Sequence, residues 1–465
     1  GTEFYTDRLD RSEYLSVEEM ERASCSDACP GVFSQLKEVY LFGCNTLKPE
    51  PRQVAGEDIV RALQRSGHAP ADAARFAALL GEQHATSNRD RMRHIFRNVP
   101  VIYGFSSLAP LGRSAGPLLD RYFQSAPPGE IASGSPSPKL LGLFAPSSMV
   151  AITGLADHEP QASLRRDACQ LMDDRLTAAQ KVDFLHRVLQ RDMAEVRMLF
   201  WHLERFAGSI GPVQRAAPQT AAAFAKLAAD EAARTRYVTA ARDADEPSLR
   251  TRMMALARSI GWLTPVQEQA ELIRTIADQI ARDRVGRDEV DLACKRGGER
   301  ENEPLLHTLA TGVLKTGKVA PAAAVACLGS AEAHARVVRA VTSSNADDVS
   351  MAEAYLRHRP LANVADVRAV AAGIARMPGS DAQVRALETL ARQRVSDPDS
   401  LREIARLFPQ ARSVQVQRAI ASVLIRSDYR VLGQADLARS LRQHRLKSPD
   451  GGDVIDALIR VLEAG

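Results

Sequence analysis

No apolar run in this 465-residue chain approaches the roughly 20 residues that a membrane-crossing helix needs, so no membrane partner is expected. Nothing near the start has the build of a signal peptide. The opening Gly1-Thr2-Glu3-Phe4, without Met, reads as a cloning remnant or a processed end, and a cytoplasmic location is expected. Cysteine is scarce: six residues, spread from Cys25 to Cys327, do not make a disulfide-dense small domain. Cys25 and Cys29 stand four apart with Cys44 nearby, but the paired spacing and the fourth ligand of a zinc site are missing. The 10 histidines are scattered singly, with no His-Glu-x-x-His pair, so neither a metal nor another cofactor is expected. An excess of one charge is missing as well. Lys plus Arg is 61 against 57 for Asp plus Glu, a net of only +4, which does not mark a dedicated nucleic-acid binder.

What is present is apolar periodicity. At 45% hydrophobic the chain can bury a large core, and its length suggests two to four domains. Ser16-Val17-Glu18-Glu19 has the form of a helix start, with Ser16 as cap. Residues 125–138, Ser-Ala-Pro-Pro-Gly-Glu-Ile-Ala-Ser-Gly-Ser-Pro-Ser-Pro, are the clearest compositional break and read as a linker. From about Pro146 the pattern is helical almost throughout, in short segments separated by breaks such as Met377-Pro378-Gly379-Ser380. Weak repetition runs through the last part. Gln383-Val384-Arg385-Ala386-Leu387 recurs within Val414–Ile420, and Asp399–Leu407 is echoed by Asp436–Leu441, with an earlier version at Asn345–Leu356. This resembles HEAT-type solenoids, in which each helix pair exposes an apolar face that its neighbour covers.

Two apolar runs differ from the rest. Val39-Tyr40-Leu41-Phe42 reads as a strand that delivers Gly43-Cys44-Asn45-Thr46 at its end, and Val99–Phe105 reads as a second strand leading to Ser106 and Ser107. A cysteine there would stand at the C-terminal edge of a sheet, where open α/β sheets place ligands and catalytic groups. These stretches, with the helix around Ser114–Leu119, resemble the nucleophile strand and pocket strand of caspase-like cysteine peptidases of the CHAT group. The resemblance covers about residues 36–123. It implies that Cys44 is the nucleophile and that Tyr103, Gly104, Phe105, Ser106 and Ser107 line the substrate groove. Arg113 is a candidate for recognising an acidic side chain. The family's catalytic histidine lies upstream of its cysteine, whereas the first histidine here is His68. The domain is then incomplete or inactive, or draws a base from His68, His84 or His94.

The expected organisation is a caspase-like α/β domain over 1–124, a Pro/Ser/Gly linker over 125–145 and a larger all-α HEAT-like domain over 146–465. The expected function is a cysteine endopeptidase whose repeats bind a protein partner. The alternative is an inactive pseudo-peptidase acting as a protein-binding scaffold. The arginine-rich stretches 242–252 and 282–287, interleaved with acids, read as solvated faces with local ion pairs. Trp201 and Trp262 read as packing anchors.

Overall fold

In a computed structural model, residues 3–5, 14–26, 32–33, 35–50, 57–84, 87–127, 129–297, 303–447 and 452–464 are described. They form two compact units, Gly1–Thr264 and Pro265–Gly465. Among them no helix is long and apolar enough to cross a membrane. Cys29 lies outside the described residues, as does the side chain of His84.

The first unit opens with an antiparallel pair, β1 (Glu3–Tyr5) and β2 (Tyr14–Ser16), and helix α1 (Val17–Cys25). Ser16 caps α1 by accepting a hydrogen bond from the Glu19 amide at 3.1 Å, as its sequence predicts. A three-stranded sheet follows, ordered β3 (Glu38–Tyr40), β4 (Val101–Phe105) and β5 (Met149–Ile152). Between β3 and β4 run α2 (Glu57–Arg65), α3 (Pro70–His84) and α4 (Asn88–Ile95). Between β4 and β5 run α5 (Gly112–Ser125) and α6 (Pro138–Leu143). β3 is parallel to β4, with Val39 opposite Ile102, and β5 is antiparallel to it, with Phe105 opposite Met149.

β4 lacks polar alternation because both its faces are covered. Ile102 joins Val17, Met20, Met92 and Ile95 from α1 and α4. Val101, Tyr103 and Phe105 point the other way, into Tyr122, Leu140 and Phe144 from α5, α6 and the turn after α6. The third strand is where the reading departs from the sequence pattern. β5 is only four residues long and falls just inside the stretch read as helical, too short for period 2 to be visible. Phe123, near the end of α5, is 46% exposed, whereas its neighbour Tyr122 is fully buried.

The helices that complete this unit are α7 (Ala162–Met172), α8 (Ala178–Leu189), α9 (Met193–Ser209), α10 (Pro212–Ala216), α11 (Pro218–Ala228), α12 (Glu231–Arg242) and α13 (Pro247–Ser259). Ile59, Leu63, Ala73 and Ala77 of α2 and α3 share a core with Leu199, Phe200 and Leu203 of α9, so the crossover ties the sheet to these helices. A disulfide between Cys25 and Cys169 joins the end of α1 to α7. Trp262 is an anchor, buried with its Nε1–H donated to the Leu227 carbonyl at 3.0 Å. Trp201 lies between two guanidinium groups, those of Arg91 and Arg205, each 4.8 Å from its ring centre. Asp243 and Asp245 pair with Arg65 and Arg61 of α2, distant in sequence.

The second unit is all helix: α14 (Pro265–Ala281), α15 (Arg287–Arg296), α16 (Glu303–Thr316), α17 (Val319–Cys327), α18 (Ala331–Ala340), α19 (Ala346–His358), α20 (Val364–Ala375), α21 (Asp381–Ala391), α22 (Pro398–Arg406), α23 (Val414–Arg426), α24 (Gln434–His444) and α25 (Val454–Ala464). Each helix packs on the next but one. α15, α17, α19, α21, α23 and α25 form one layer, and α14, α16, α18, α20 and α22 the other, continued to α24 through a 3-10 turn at Phe408–Gln410. This is the stacking of helix-pair repeats. A second disulfide, Cys294–Cys327, links α15 to α17 within one layer.

Two of the sequence echoes fall on successive helices of one layer, α21 with α23 and α22 with α24. The third, at Asn345–Leu356, is α19 and lies in the layer opposite to α22, so it is not an equivalent repeat position. The matched strings also set Arg385 opposite Arg418. The structure sets Gln383 opposite Gln417 instead, one residue along. Each is a buried amide that donates to a carbonyl nine residues earlier, Ile374 and Phe408 respectively. Gln417 also donates to the His444 carbonyl at 2.8 Å and accepts from the Leu446 amide at 2.9 Å. It thereby closes the turn after α24 onto α23. Gln417→Leu keeps the volume but strands these buried partners, and is expected to cost about 2–4 kcal/mol. Urea unfolding that shows a loss below about 1 kcal/mol would remove Gln417 from this role.

Candidate functional site

The site to test is the C-terminal edge of the sheet, where β3 and β4 end side by side. The ladder continues one step past β3, with the Leu41 amide donating to the Tyr103 carbonyl at 2.9 Å. It then breaks and resumes, the Asn45 amide donating to the Ser107 carbonyl at 2.6 Å and the Leu47 amide to the Phe105 carbonyl at 3.0 Å. Phe42, Gly43 and Cys44 are left to bulge away from β4. Asn45 turns the chain back with φ 58°, in the left-handed region that asparagine tolerates better than most residues.

Three contacts hold the bulge. Phe42 packs edge-on against Phe105 and Phe144, with ring centres 5.4 Å apart in each case. Thr46 is buried and its hydroxyl accepts the Phe105 amide at 3.0 Å. Asn88, at the start of α4, donates its side-chain amide to the Asn45 carbonyl at 2.8 Å. Cys44 is exposed, and its Sγ accepts the Ala109 amide hydrogen at 3.4 Å. Thr46, Asn88 and Ala109 carry no sequence signal for this role, because each meets a partner that only the fold brings near.

The five residues read as a groove separate into two groups. Tyr103 and Phe105 have no exposed surface, and Gly104 is buried between them. Burial raises the Tyr103 phenol above its ordinary range, and its oxygen accepts the Ser137 amide at 2.7 Å. These side chains belong to the core beneath the site. Ser106 and Ser107 alone reach the sheet edge beside Cys44, where Ser107 holds Asn45 and the Ser106 hydroxyl donates to the Ser148 carbonyl at 3.2 Å. Arg113 is exposed on the first turn of α5.

The histidines are placed for other work. His68 packs its ring edge-on against Phe76, 5.0 Å between centres. His94 is part-buried on α4 with its Nε2 sealed from solvent, and desolvation pulls its imidazole down to about 4, outweighing the Asp90 carboxylate, which acts the other way. It is therefore neutral at physiological pH. The unfolded chain takes up a proton at this residue near 6.5, and the folded chain does so only near 4. The stability His94 confers is thus lost as the pH falls through that window. A thermal-melt series should show the first unit losing stability from about pH 6.5 downwards, and His94→Gln should flatten that slope; an unchanged slope would count against it.

Gly104 is required by close approach. A Cβ there would stand 2.7 Å from Leu47 Cγ and 2.8 Å from Thr46 Oγ1, both on the segment that returns from Cys44. Gly104→Ala should lower stability by about 1–3 kcal/mol. It should also raise deuterium uptake across residues 41–48, and unaltered uptake there would show that the bulge is held without this contact.

No protein-family model matches the chain, and no curated protein is similar to it at a significant level.

Proposed function

We propose that this protein is a helical-repeat scaffold that binds a protein partner and carries, at its N-terminal end, a caspase-like element of CHAT type in which Cys44 is an accessible thiol. The observation that carries this reading is the two-layer stacking of α14–α25. Such stacking presents a long, regular surface built from successive helices, which suits an extended polypeptide better than a small substrate. The burial of Tyr103 and Phe105, and the neutral, desolvated state of His94, support a site without peptidase machinery.

A second reading is a cysteine endopeptidase with Cys44 as nucleophile. Its support is the parallel order of β3 and β4 and the exposure of Cys44 at their common end. In that reaction the sulfur adds to the scissile carbonyl and the leaving amine takes a proton from a base, which activates the thiol beforehand. The two disulfides bear on location. Structural cystines persist in oxidising compartments, and they favour one over the cytoplasm.

The readings separate on reactivity. In the scaffold reading, iodoacetamide labels Cys44 at the rate of an ordinary exposed thiol, followed by peptide mapping of the intact protein, and Cys44→Ala leaves a peptide-library digest unchanged. Labelling of Cys44 faster than an unactivated thiol by about tenfold or more, together with cleavage that Cys44→Ala abolishes, would overturn the scaffold reading in favour of the peptidase.

A further inference from the structure

The two cystines stand in different surroundings. Cys294 and Cys327 are 3% and 2% exposed, enclosed in the core of the second unit. Cys25 and Cys169 are both part-exposed, and both line a cleft of about 400 Å³ at the ends of α1 and α4 and along α7. Thiol–disulfide exchange needs a thiolate to reach a disulfide sulfur, so access decides which of two cystines reacts. A small thiol has room in this cleft. It reaches Cys294–Cys327 only when the stack of helices opens.

Both residues sit at the C-terminal end of a helix, Cys25 as the last residue of α1 and Cys169 in the last turn of α7. The helix dipole disfavours a thiolate there. A cation fixed between the same two ends offsets it. Arg165, four residues before Cys169, donates to the Ser24 carbonyl at 2.9 Å and to the Ser24 hydroxyl at 3.1 Å, next to Cys25. It also donates to the His94 carbonyl at 2.9 Å. A thiolate released from either cysteine is thus formed beside a guanidinium, which makes it a better leaving group.

The bond ends the helix that holds Trp201 in its setting. Glu21 of α1 pairs with Arg91 and Glu18 of α1 with Arg205, and these two guanidinium groups flank the Trp201 ring.

We propose that Cys25–Cys169 is a reversible thiol–disulfide exchange site, opened by a small thiol that enters this cleft, and that its state sets how firmly α1 is held. Cys294–Cys327 is a permanent staple. In the first step a thiolate bonds to one cysteine sulfur, the S–S bond breaks, and the other sulfur leaves with the electron pair and takes a proton from water. A second thiolate then attacks the thiol's own sulfur in the mixed disulfide, frees the remaining cysteine and departs as the small-molecule disulfide. The cystine gains two electrons and two protons, and two small thiols are oxidised to one disulfide. The site is independent of Cys44 and of both readings of the function.

The full chain tests this without mutation. Free thiols are first blocked with N-ethylmaleimide. The folded protein is then exposed to reduced glutathione, quenched in acid and mapped with an isotopically labelled maleimide. Cys25 and Cys169 should take up the second label at least about tenfold faster than Cys294 and Cys327. Tryptophan emission should shift on the same time course, deuterium uptake over residues 17–25 should rise, and oxidised glutathione should restore both. The double variant Cys25→Ser, Cys169→Ser should show the emission of the reduced protein from the outset and give no response to glutathione; if it does not fold, the measurements on the unaltered chain decide alone. Labelling of Cys25 and Cys169 no faster than that of Cys294 and Cys327 would overturn the exchange site. Fast labelling with emission and uptake unchanged would overturn the hold on α1, and emission that oxidised glutathione does not restore would overturn reversibility.

Discussion

Burial of β4 on both faces is the constraint on which the first unit depends. Five consecutive residues, Val101 to Phe105, are sealed between α1 and α4 on one side and α5 and α6 on the other. A strand so enclosed cannot leave its amides and carbonyls unpaired. β3 and β5 satisfy most of them, and the segment returning from Cys44 satisfies the rest through Thr46 and Leu47. The exposure of Cys44 is thus a by-product of pairing at β4. The ladder must be completed by a chain that has already turned, and the residues in the turn are pushed outward. Gly104 belongs to the same constraint, because only a residue without a Cβ lets the returning segment lie so close.

The second unit solves its burial problem differently. No single element is enclosed by the whole; each helix is covered by its neighbours in two layers. α17 is the extreme case. It is apolar on every side, Val319 to Cys327, and small enough in its side chains to sit among α15, α16, α18 and α19. Several of its buried polar side chains are closing devices. Gln383 and Gln417 each cap the carbonyls of the preceding turn, so the junction between pairs is satisfied from within the next helix. Asp397 works in the same way: it caps α22 through Ser400 and receives Arg368 from α20.

Features written in local chemistry were legible in the sequence. The Ser16 cap, the helical character of the long C-terminal part and the strand character of Val39–Phe42 and Val99–Phe105 each rest on a few adjacent residues, and the structure has an element at each. Features written in partners were not. β5 is too short to show a period and is recruited by β4. Tyr103 and Phe105 carry the same apolar signature whether they face a groove or a core, and only the positions of α5 and α6 decide it. The repeat register differs by one residue between string and structure, because the similar strings pair Arg385 with Arg418 whereas the structure repeats the buried amide.

The placement of the two cystines follows from these different architectures. In the first unit, α1 must find α7 across 144 residues of intervening chain, and it also joins the core through Val17 and Met20 and holds Arg91 through the buried carboxylate of Glu21. Cross-linking so long a loop removes much of the entropy of the unfolded chain, by about 5 kcal/mol in the chain-entropy account. In the second unit the link from Cys294 to Cys327 spans only 33 residues, and the same account gives it less, about 4 kcal/mol. It joins the first two pairs of the stack, and α17 carries the small side chains that allow close approach but bury little area each. A covalent link is thus found in one unit where sequence separation is large and in the other where packing area per residue is small.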